Sequence, residues 1–285
     1  MKIAVTGVTG QLGGIVIEQL KKRVSEENII ALARNTEKAL KLGVEARAFD
    51  YSKPEILAGA LEGVDRLLLI SSSEIGQRAQ QHANVINAAK KAGVKWIVYT
   101  SLLHADVSTL SLAGEHVATE EALKESGIEY TLLRNGWYSE NYTASVPGAL
   151  AGGAFLGSAG NGKISSAARA DYAEAAAIIV ADENFKGKVY ELAGDEFYTL
   201  TELAAEISGQ TGKSIPYNNL SEIEYAGILK NIGLPEGLAN GLAGWDTSAS
   251  KDDLFDDEHQ LSKILGRPTT PIANSVKIAL EQVTS

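Results

Sequence analysis

The chain has no cysteine, which excludes disulfides, thiolate nucleophiles and Cys-ligated zinc or iron–sulfur centres. Any redox chemistry therefore has to come from a bound cofactor. Histidine is nearly as scarce: only His82, His104, His116 and His259 occur, with no His-Glu-x-x-His pair, and there is no Gly-x-Ser-x-Gly turn. Metal-assisted hydrolysis and acyl transfer have no residues to run on. No apolar run nears the ~20 residues that a bilayer span needs. The first residues enter a strand pattern with no basic-then-apolar leader, which predicts a soluble, cytoplasmic protein. Basic residues are outnumbered, 26 against 36 acidic, for a formal charge of -10, so neither nucleic acid nor an anionic membrane surface is an expected partner.

What is present is the material of a compact fold. The sequence is 45% hydrophobic and 22% charged, and its 28 glycines are spread along it rather than gathered in one tract, which argues against disorder. The length, 285 residues, suits one large α/β domain or a core with a smaller lobe. Residues 2–6 read as a short strand ending in glycine, and residues 12–22 as a helix with Leu12, Val16 and Leu20 on one face. The rhythm recurs in strand-like stretches at 29–33, 44–49, 66–70, 96–100 and 129–134, with helices near 79–92 and 113–126 stopped by Gly93 and Gly127. Alternating strands and helices predict a doubly wound α/β fold of Rossmann type with a parallel sheet.

Beyond residue 135 the rhythm breaks. Six glycines fall within 148–162, which reads as an ordered loop beside a ligand rather than a helix. A helix near 171–181 and a strand near 188–193 return the chain to the core. Helical segments near 199–209, 221–231 and 271–282 then form a smaller, mostly helical lobe, expected over the C-terminal edge of the sheet, where open α/β sheets bind ligands.

The first strand is followed by Thr6-Gly7-Val8-Thr9-Gly10-Gln11-Leu12-Gly13, a Gly-x-x-Gly-x-x-Gly spacing that opens the first helix. Glycines there permit the tight turn, let main-chain amides approach a pyrophosphate and bring helix against strand, while the helix N-terminus favours negative charge. Sites that prefer NAD carry an acidic residue about 20 positions further on. Here the second strand ends Ala31-Leu32-Ala33-Arg34, and an arginine there suits a 2′-phosphate, which favours NADP(H); the competing reading of Arg34 is a solvated charge at a strand end. Asp50 is placed to reach an adenine, and Ser71 and Ser73, after the fourth strand, to meet the pyrophosphate or a ribose, although loop aspartates and strand-capping serines are common.

Short-chain dehydrogenases that act on alcohols and carbonyls use a Tyr-x-x-x-Lys pair, the lysine lowering the tyrosine pKa. In this chain the spacing is occupied by His116 and Glu120. The histidine is a candidate acid or base, but a His and Glu four apart on a helix read more simply as a surface pair. An acceptor that needs little acid assistance makes the missing pair tolerable, and a quinone fits, because its conjugated carbonyls take a hydride readily and water can protonate the product.

Five segments carry a resemblance: residues 7–13, Arg34, residues 70–76, residues 99–105 (Tyr-Thr-Ser-Leu-Leu-His-Ala) and residues 133–142 (Leu-Arg-Asn-Gly-Trp-Tyr-Ser-Glu-Asn-Tyr). Together they resemble the NmrA-like atypical short-chain dehydrogenase/reductase family, and within it the bacterial NAD(P)H:quinone oxidoreductases of type 2, from residue 1 to about 270. The resemblance implies one NmrA-like domain over 1–285. Its Rossmann core spans 1–134 and is rejoined near 165–193; 135–164 and 194–285 form a substrate lobe, with NADPH in the groove between. It implies that Gly7, Thr9, Gly10, Gln11 and Leu12 hold the phosphates, with Ser71 and Ser73 nearby, and that Arg34 holds the 2′-phosphate. Tyr138, Glu140 and Asn141 lie along the nicotinamide end, joined by Arg169, with Tyr138 and Asn141 nearest the chemistry; Trp137 packs behind its neighbours or joins them. The implied activity is hydride transfer from NADPH to a small-molecule quinone. The family also contains non-catalytic NADP(H)-binding redox sensors that regulate a partner protein, and the missing Tyr-Lys pair is common to both. Assembly into a homo-oligomer is left open.

Overall fold

The computed structural model describes residues 1–283. In chain order its elements are β1 (Ile3–Thr6), α1 (Gln11–Lys21), β2 (Ile29–Ala33), α2 (Thr36–Leu40), β3 (Glu45–Ala48), α3 (Pro54–Ala60), β4 (Arg66–Leu69), α4 (Arg78–Ala92), β5 (Trp96–Leu102), α5 (Ala113–Ser126) and β6 (Glu129–Asn135). There follow α6 (Ser139–Thr143), α7 (Val146–Gly152), β7 (Phe155–Gly157), α8 (Arg169–Ala181), β8 (Val189–Leu192), α9 (Leu200–Thr211), β9 (Tyr217–Asn219), α10 (Glu222–Asn231), α11 (Glu236–Ala249), α12 (Gln260–Leu265) and α13 (Ile272–Val283). The chain divides into two compact units. The first holds Met1–Asp106, Leu112–Asn135 and Arg169–Glu191; the second holds Val107–Ser111, Gly136–Ala168 and the chain from Leu192 onward.

The first unit is built on a seven-stranded sheet in the order β3-β2-β1-β4-β5-β6-β8. Its paired strands β1 to β6 run parallel, as the alternation of strands and helices predicts. The runs Ile-Ala-Val-Thr in β1, Ile-Ile-Ala-Leu-Ala in β2 and Arg-Leu-Leu-Leu in β4 are buried at every position, the signature of strands covered on both faces. One face packs side chains of α3, α4 and α5, with Leu57, Leu61, Val85, Ile86, Ala89 and Leu123 in the core. The other is covered by α1, which buries Leu12, Val16, Ile17 and Leu20, and by the alanine-rich α8 beside it. Arg66, itself buried, fastens the end of α8: its guanidinium donates to the carbonyls of Val180 at 3.0 Å and Ala181 at 2.9 Å and meets Glu183 at 2.6 Å. A cation at a helix C-terminus satisfies carbonyls that have no partner within the helix.

The second unit contains a two-stranded parallel sheet of β7 and β9 among short helices. Helices α9 and α10 each start in a full capping box, Thr199 with Glu202 and Ser221 with Glu224, so their boundaries are set locally. The stretch 148–162, expected to be a loop, instead holds the end of α7 and all of β7. Its glycines lower intrinsic helix propensity, but Val146 and Ala149 are buried and α13 packs on α7, so tertiary burial overrides local preference. The sequence pattern does not mark helices α11 and α12 either. In α11, Gly237, Gly241 and Gly244 interrupt the apolar pattern, and burial of Ala239, Ala243 and Ala249 holds the helix together.

The approach of α1 to β1 leaves no room for a side chain at Gly13. A Cβ there would lie 2.5 Å from the Gly7 carbonyl oxygen and 2.7 Å from Val8 Cα. At Gly59 in α3 nothing lies within 4 Å of the same atom. In urea unfolding, Gly13→Ala is expected to lose about 2 kcal/mol or more, whereas Gly59→Ala is expected to gain about 0.5–1 kcal/mol from helix propensity.

Candidate functional site

Because β2, β1 and β4 are adjacent and parallel, their C-terminal ends deliver residues 7–13, Arg34 and residues 70–76 to one edge. Connections leave β1 toward β2 and reach β4 on its other side, so this is the switch point at which open sheets bind ligands. Thr6 joins β1 to β4 there: its Oγ1 donates to the Leu68 carbonyl at 3.3 Å and accepts from Ile70 N–H at 2.9 Å. The turn then needs φ +63° at Gly7, a left-handed conformation that glycine tolerates, and Gly10 N–H closes it on the Gly7 carbonyl at 2.9 Å. Gly10 is the N-cap of α1, no side chain caps that helix and its first turn carries no acidic residue. The positive end of α1 thus faces outward past Gly7, Gly10 and Gln11, which are exposed, with Thr9 half-buried and Leu12 turned into the core.

Arg34 stands at the end of β2, exposed, its Nη1 3.1 Å from Glu74 Oε1. A second cation, which the sequence reading missed, lies beside it: Lys38, in the first turn of α2, donates from Nζ to the Thr9 carbonyl at 3.1 Å. Asn35 holds that turn by accepting from Lys38 N–H at 2.8 Å. An Asn cap just after a strand-end arginine, with a lysine three residues on, was the signal available. Asp50 accepts from Ser52 N–H at 3.1 Å. Ser71 is half-buried with its N–H on Thr100 Oγ1 at 2.8 Å, and Ser73 is exposed.

The loop after β4 is anchored from beneath by His82. Ser72 N–H donates to His82 Nε2 at 2.9 Å. Thr119 gives its proton to the Glu115 carbonyl at 2.9 Å, so its oxygen accepts from His82 Nδ1–H at 2.9 Å. That assigns the tautomer, and the ring has to be neutral to keep both bonds. Burial, and secondarily Arg78, pushes the His82 pKa down to about 3.

The reading of His116 and Glu120 as a surface pair is corrected by the structure. His116 is buried with Nδ1 2.8 Å from the Tyr99 hydroxyl, and burial, then Arg78 and His82, lowers its pKa to about 3. Glu120 faces the other way. It accepts from Ser101 Oγ at 2.5 Å and from Arg134 in two-pronged fashion, Nε at 3.0 Å and Nη2 at 2.7 Å. Arg134 also meets Glu191 at 2.9 Å and Asp106 at 2.8 Å, and the Glu120 bonds hold its pKa above the ordinary arginine value. The two positions of a Tyr-Lys pair are thus both committed to structural bonds. At the end of β6, Asn135 is buried, and its Oδ1 is the buried side-chain atom without a hydrogen-bond partner among the described residues.

In the second unit Tyr138, half-buried, is the N-cap of α6. The segment before the helix pairs with residue 167: Ser139 N–H donates to the Ala167 carbonyl at 2.9 Å and Ala167 N–H to the Trp137 carbonyl at 3.2 Å. Asn141 is exposed one residue beyond the half-buried Glu140, so α6 presents the three predicted residues within a single turn. The inner side of α6 is tied down by Ser139, whose Oγ lies 2.9 Å from Ser166 Oγ, and by Tyr142, whose hydroxyl donates to Asp246 Oδ1 at 3.2 Å. Asp246 also accepts from Ser158 N–H at 3.0 Å, and burial raises its pKa to about 6. Trp137 stacks edge-on against Trp245 at 5.8 Å, so it is a packing partner. Arg169 opens α8 in the first unit.

The sheet, its switch point and a glycine turn with an uncapped helix behind it define a Rossmann-type α/β protein of the short-chain dehydrogenase kind, with the usual Tyr-Lys positions diverted to structural use. The chain belongs to the NmrA-like family, whose profile matches residues 1–270. It is 60% identical over 277 residues to quinone oxidoreductase 2 of Escherichia coli, covering 96% of this chain and 97% of that one. The crystal structure of the NADPH-dependent quinone oxidoreductase QOR2 of E. coli complexed with NADPH superposes with a TM-score of 0.96 at 59% identity, over 98% of this chain and 99% of that one. The Citrobacter sp. triphenylmethane reductase complexed with NADP(H) superposes with a TM-score of 0.94 at 39% identity, over 98% of this chain and 100% of that one. Among the described residues no helix is long and apolar enough to cross a membrane, and no cluster of His, Asp or Glu is placed to hold a metal ion.

The two buried histidines set a pH dependence. Each has a folded pKa of about 3 against an ordinary 6.5, so between those values the unfolded chain binds more protons and acid destabilises the fold. Their contribution is complete above pH 6.5 and is lost as pH falls toward 3, while Asp246, raised to about 6 from 3.8, opposes them over its own interval. Denaturant titrations from pH 7 to 4 are expected to show falling stability. The variant His116→Phe should remove up to about 1.4 kcal/mol per pH unit of that slope; an unaltered slope would mean that the ring is charged when buried.

Proposed function

We propose that the protein is an NADPH-dependent quinone reductase acting in the cytoplasm. The observation that carries this is the 60% identity, over nearly the whole of both chains, to quinone oxidoreductase 2 of E. coli. The residues present fit the cofactor. The Gly7 turn and the close packing of α1 against it that Gly13 permits match the main-chain geometry of a pyrophosphate loop, and the uncapped α1 N-terminus is electrostatically suited to it. Bound there, NADPH supplies the reducing hydride.

The chain's own residues bind, orient and exclude. The loop of Gly7, Thr9, Gly10, Gln11 and Leu12 holds the pyrophosphate, Gly10 by closing the turn, with Ser71 and Ser73 beside it. Arg34 holds the 2′-phosphate, and Lys38 adds a second positive charge at the same turn. Tyr138, Glu140, Asn141 and Arg169 serve the nicotinamide end and, with Tyr138 and Asn141 foremost, the quinone; the second unit supplies the substrate lobe. The neutral buried His116 and the arginine-bound Glu120 are not placed to donate the proton that completes quinone reduction, and water supplies it. A quinone tolerates this because the reduced oxygen becomes a phenolate-like anion that water protonates readily. A non-catalytic sensor would share the missing Tyr-Lys pair, but the likeness to a quinone oxidoreductase favours turnover.

Purified protein mixed with NADPH and a benzoquinone is expected to consume the reduced-nicotinamide absorbance at a rate proportional to protein; no protein-dependent oxidation with any of several quinones would reject the activity and leave the sensor. In binding titrations Arg34→Ala is expected to weaken NADPH by about 1.5–3 kcal/mol and NADH far less, and equal weakening of both would take Arg34 off the phosphate. Tyr138→Ala or Asn141→Ala should slow turnover or raise the quinone KM with the thermal midpoint unchanged.

A further inference from the structure

At the rim beyond β2 and β4 two opposite charges face one another. Arg34 Nη1 lies 3.1 Å from Glu74 Oε1, with 72% and 46% of the two side chains exposed. Exposed pairs of this kind contribute little to stability, in part because holding two long side chains together costs rotamer entropy. Glu74, however, is not a loose surface carboxylate. Its other oxygen, Oε2, accepts from Gln81 Nε2 at 2.8 Å, and Gln81 is 4% exposed. The Gln81 amide is itself held at both ends, donating to Ser52 Oγ at 3.0 Å and accepting from Ser72 Oγ at 2.5 Å. The Glu74 main chain is fixed by the same serine, its N–H donating to Ser72 Oγ at 3.1 Å, and Ser72 rests on His82. A buried amide therefore aims this carboxylate at the guanidinium, and the ordering of the Glu74 side of the pair is already done.

The geometry points to Glu74 as a built-in counter-ion of Arg34 that narrows the protein's preference for the phosphorylated dinucleotide. The inference rests on the assignment of Arg34 to the 2′-phosphate. A 2′-phosphate arriving at Arg34 either displaces Glu74 or shares the guanidinium with it against like-charge repulsion. Both outcomes weaken NADPH. NADH carries only a hydroxyl at that carbon and bears no such repulsion, and a carboxylate held near a ribose is what accepts from that hydroxyl in NAD sites. Glu74 thus keeps a site built around an arginine from excluding the unphosphorylated cofactor, a role that neither its exposure nor its ion pair would suggest alone.

Calorimetric titration of the full chain with NADPH and with NADH, for wild type, Glu74→Gln, Arg34→Ala and the double variant, tests this. Glu74→Gln keeps an oxygen for Gln81 and removes the charge. It is expected to tighten NADPH by about three- to tenfold while NADH stays within about twofold or weakens, with an unchanged thermal midpoint. In the Arg34→Ala background the same substitution should gain less, because the pair is already gone. Glu74→Ala should move NADPH in the same direction. If Arg34→Ala selectively weakens NADPH but NADPH binding to the folded Glu74→Gln protein is unchanged or weaker, Glu74 is not a counter-ion and the inference is overturned while the role of Arg34 stands. If Arg34→Ala weakens both dinucleotides equally, the assignment of Arg34 fails, and the inference fails with it.

Discussion

Everything at the binding edge of the first unit depends on the closure of α1 onto the end of β1, where Gly13 leaves no space for even one methyl group against the Gly7 carbonyl and Val8 Cα. That contact sets the depth of the turn, and the turn sets where the amides of residues 7–12 point. Thr6 extends the constraint sideways, since its hydroxyl joins the end of β1 to Leu68 and Ile70 of the neighbouring strand and its continuation. One buried hydroxyl and one missing side chain thereby position both loops of the switch point relative to each other. The uncapped N-terminus of α1 follows from the same geometry: Gly10 has no side chain to offer its amides, so their partial positive charge is left for a ligand.

Beneath these loops the unit is polar, in a way that keeps it rigid. His82 and His116 are deprived of charge by burial and used as neutral hydrogen-bonding rings, one under the loop after β4 and the other against Tyr99. Glu120 and Arg134 form a two-pronged pair that also recruits Glu191 and Asp106. In a dehydrogenase that needs an acid, the corresponding helix positions would be held open to the substrate. Here they are spent on fixing β5, β6 and α5 together. A reaction whose acceptor takes a hydride without protein-derived acid is compatible with that use.

The second unit uses a buried carboxylate for a comparable end. Asp246 on α11 accepts from Tyr142 on α6 and from the main chain of Ser158 beside β7, so three elements of low intrinsic stability share one polar centre. Burial makes the centre costly to keep charged and raises the Asp246 pKa. What it secures is the orientation of α6, a helix of five residues too short to be stable alone, on which Tyr138, Glu140 and Asn141 are displayed.

Much of this was legible without coordinates. Periodicity and glycine stops placed the six strands from β1 to β6 and the helices α1, α4 and α5, because strands buried on both faces leave unbroken apolar runs and a helix ended by glycine leaves a local mark. The glycine turn and Arg34 were visible because they depend on neighbours in sequence. Where tertiary burial, rather than propensity, decides the local state, the sequence pattern misleads: it predicts a loop where α7 and β7 form, and it leaves the glycine-interrupted α11 unmarked. Lys38, Glu74 and the inward turn of His116 escaped for a related reason. Each acquires its meaning from a partner brought near by the strand order or by packing, such as Thr9 for Lys38 and Arg34 for Glu74. The sequence by itself determined the class of fold and the conformation of its first turn, since steric and hydrophobic patterns act over a few residues. Only the tertiary structure decided which charges face each other and which titratable groups are sealed from water, since both follow from contacts between segments far apart in the chain.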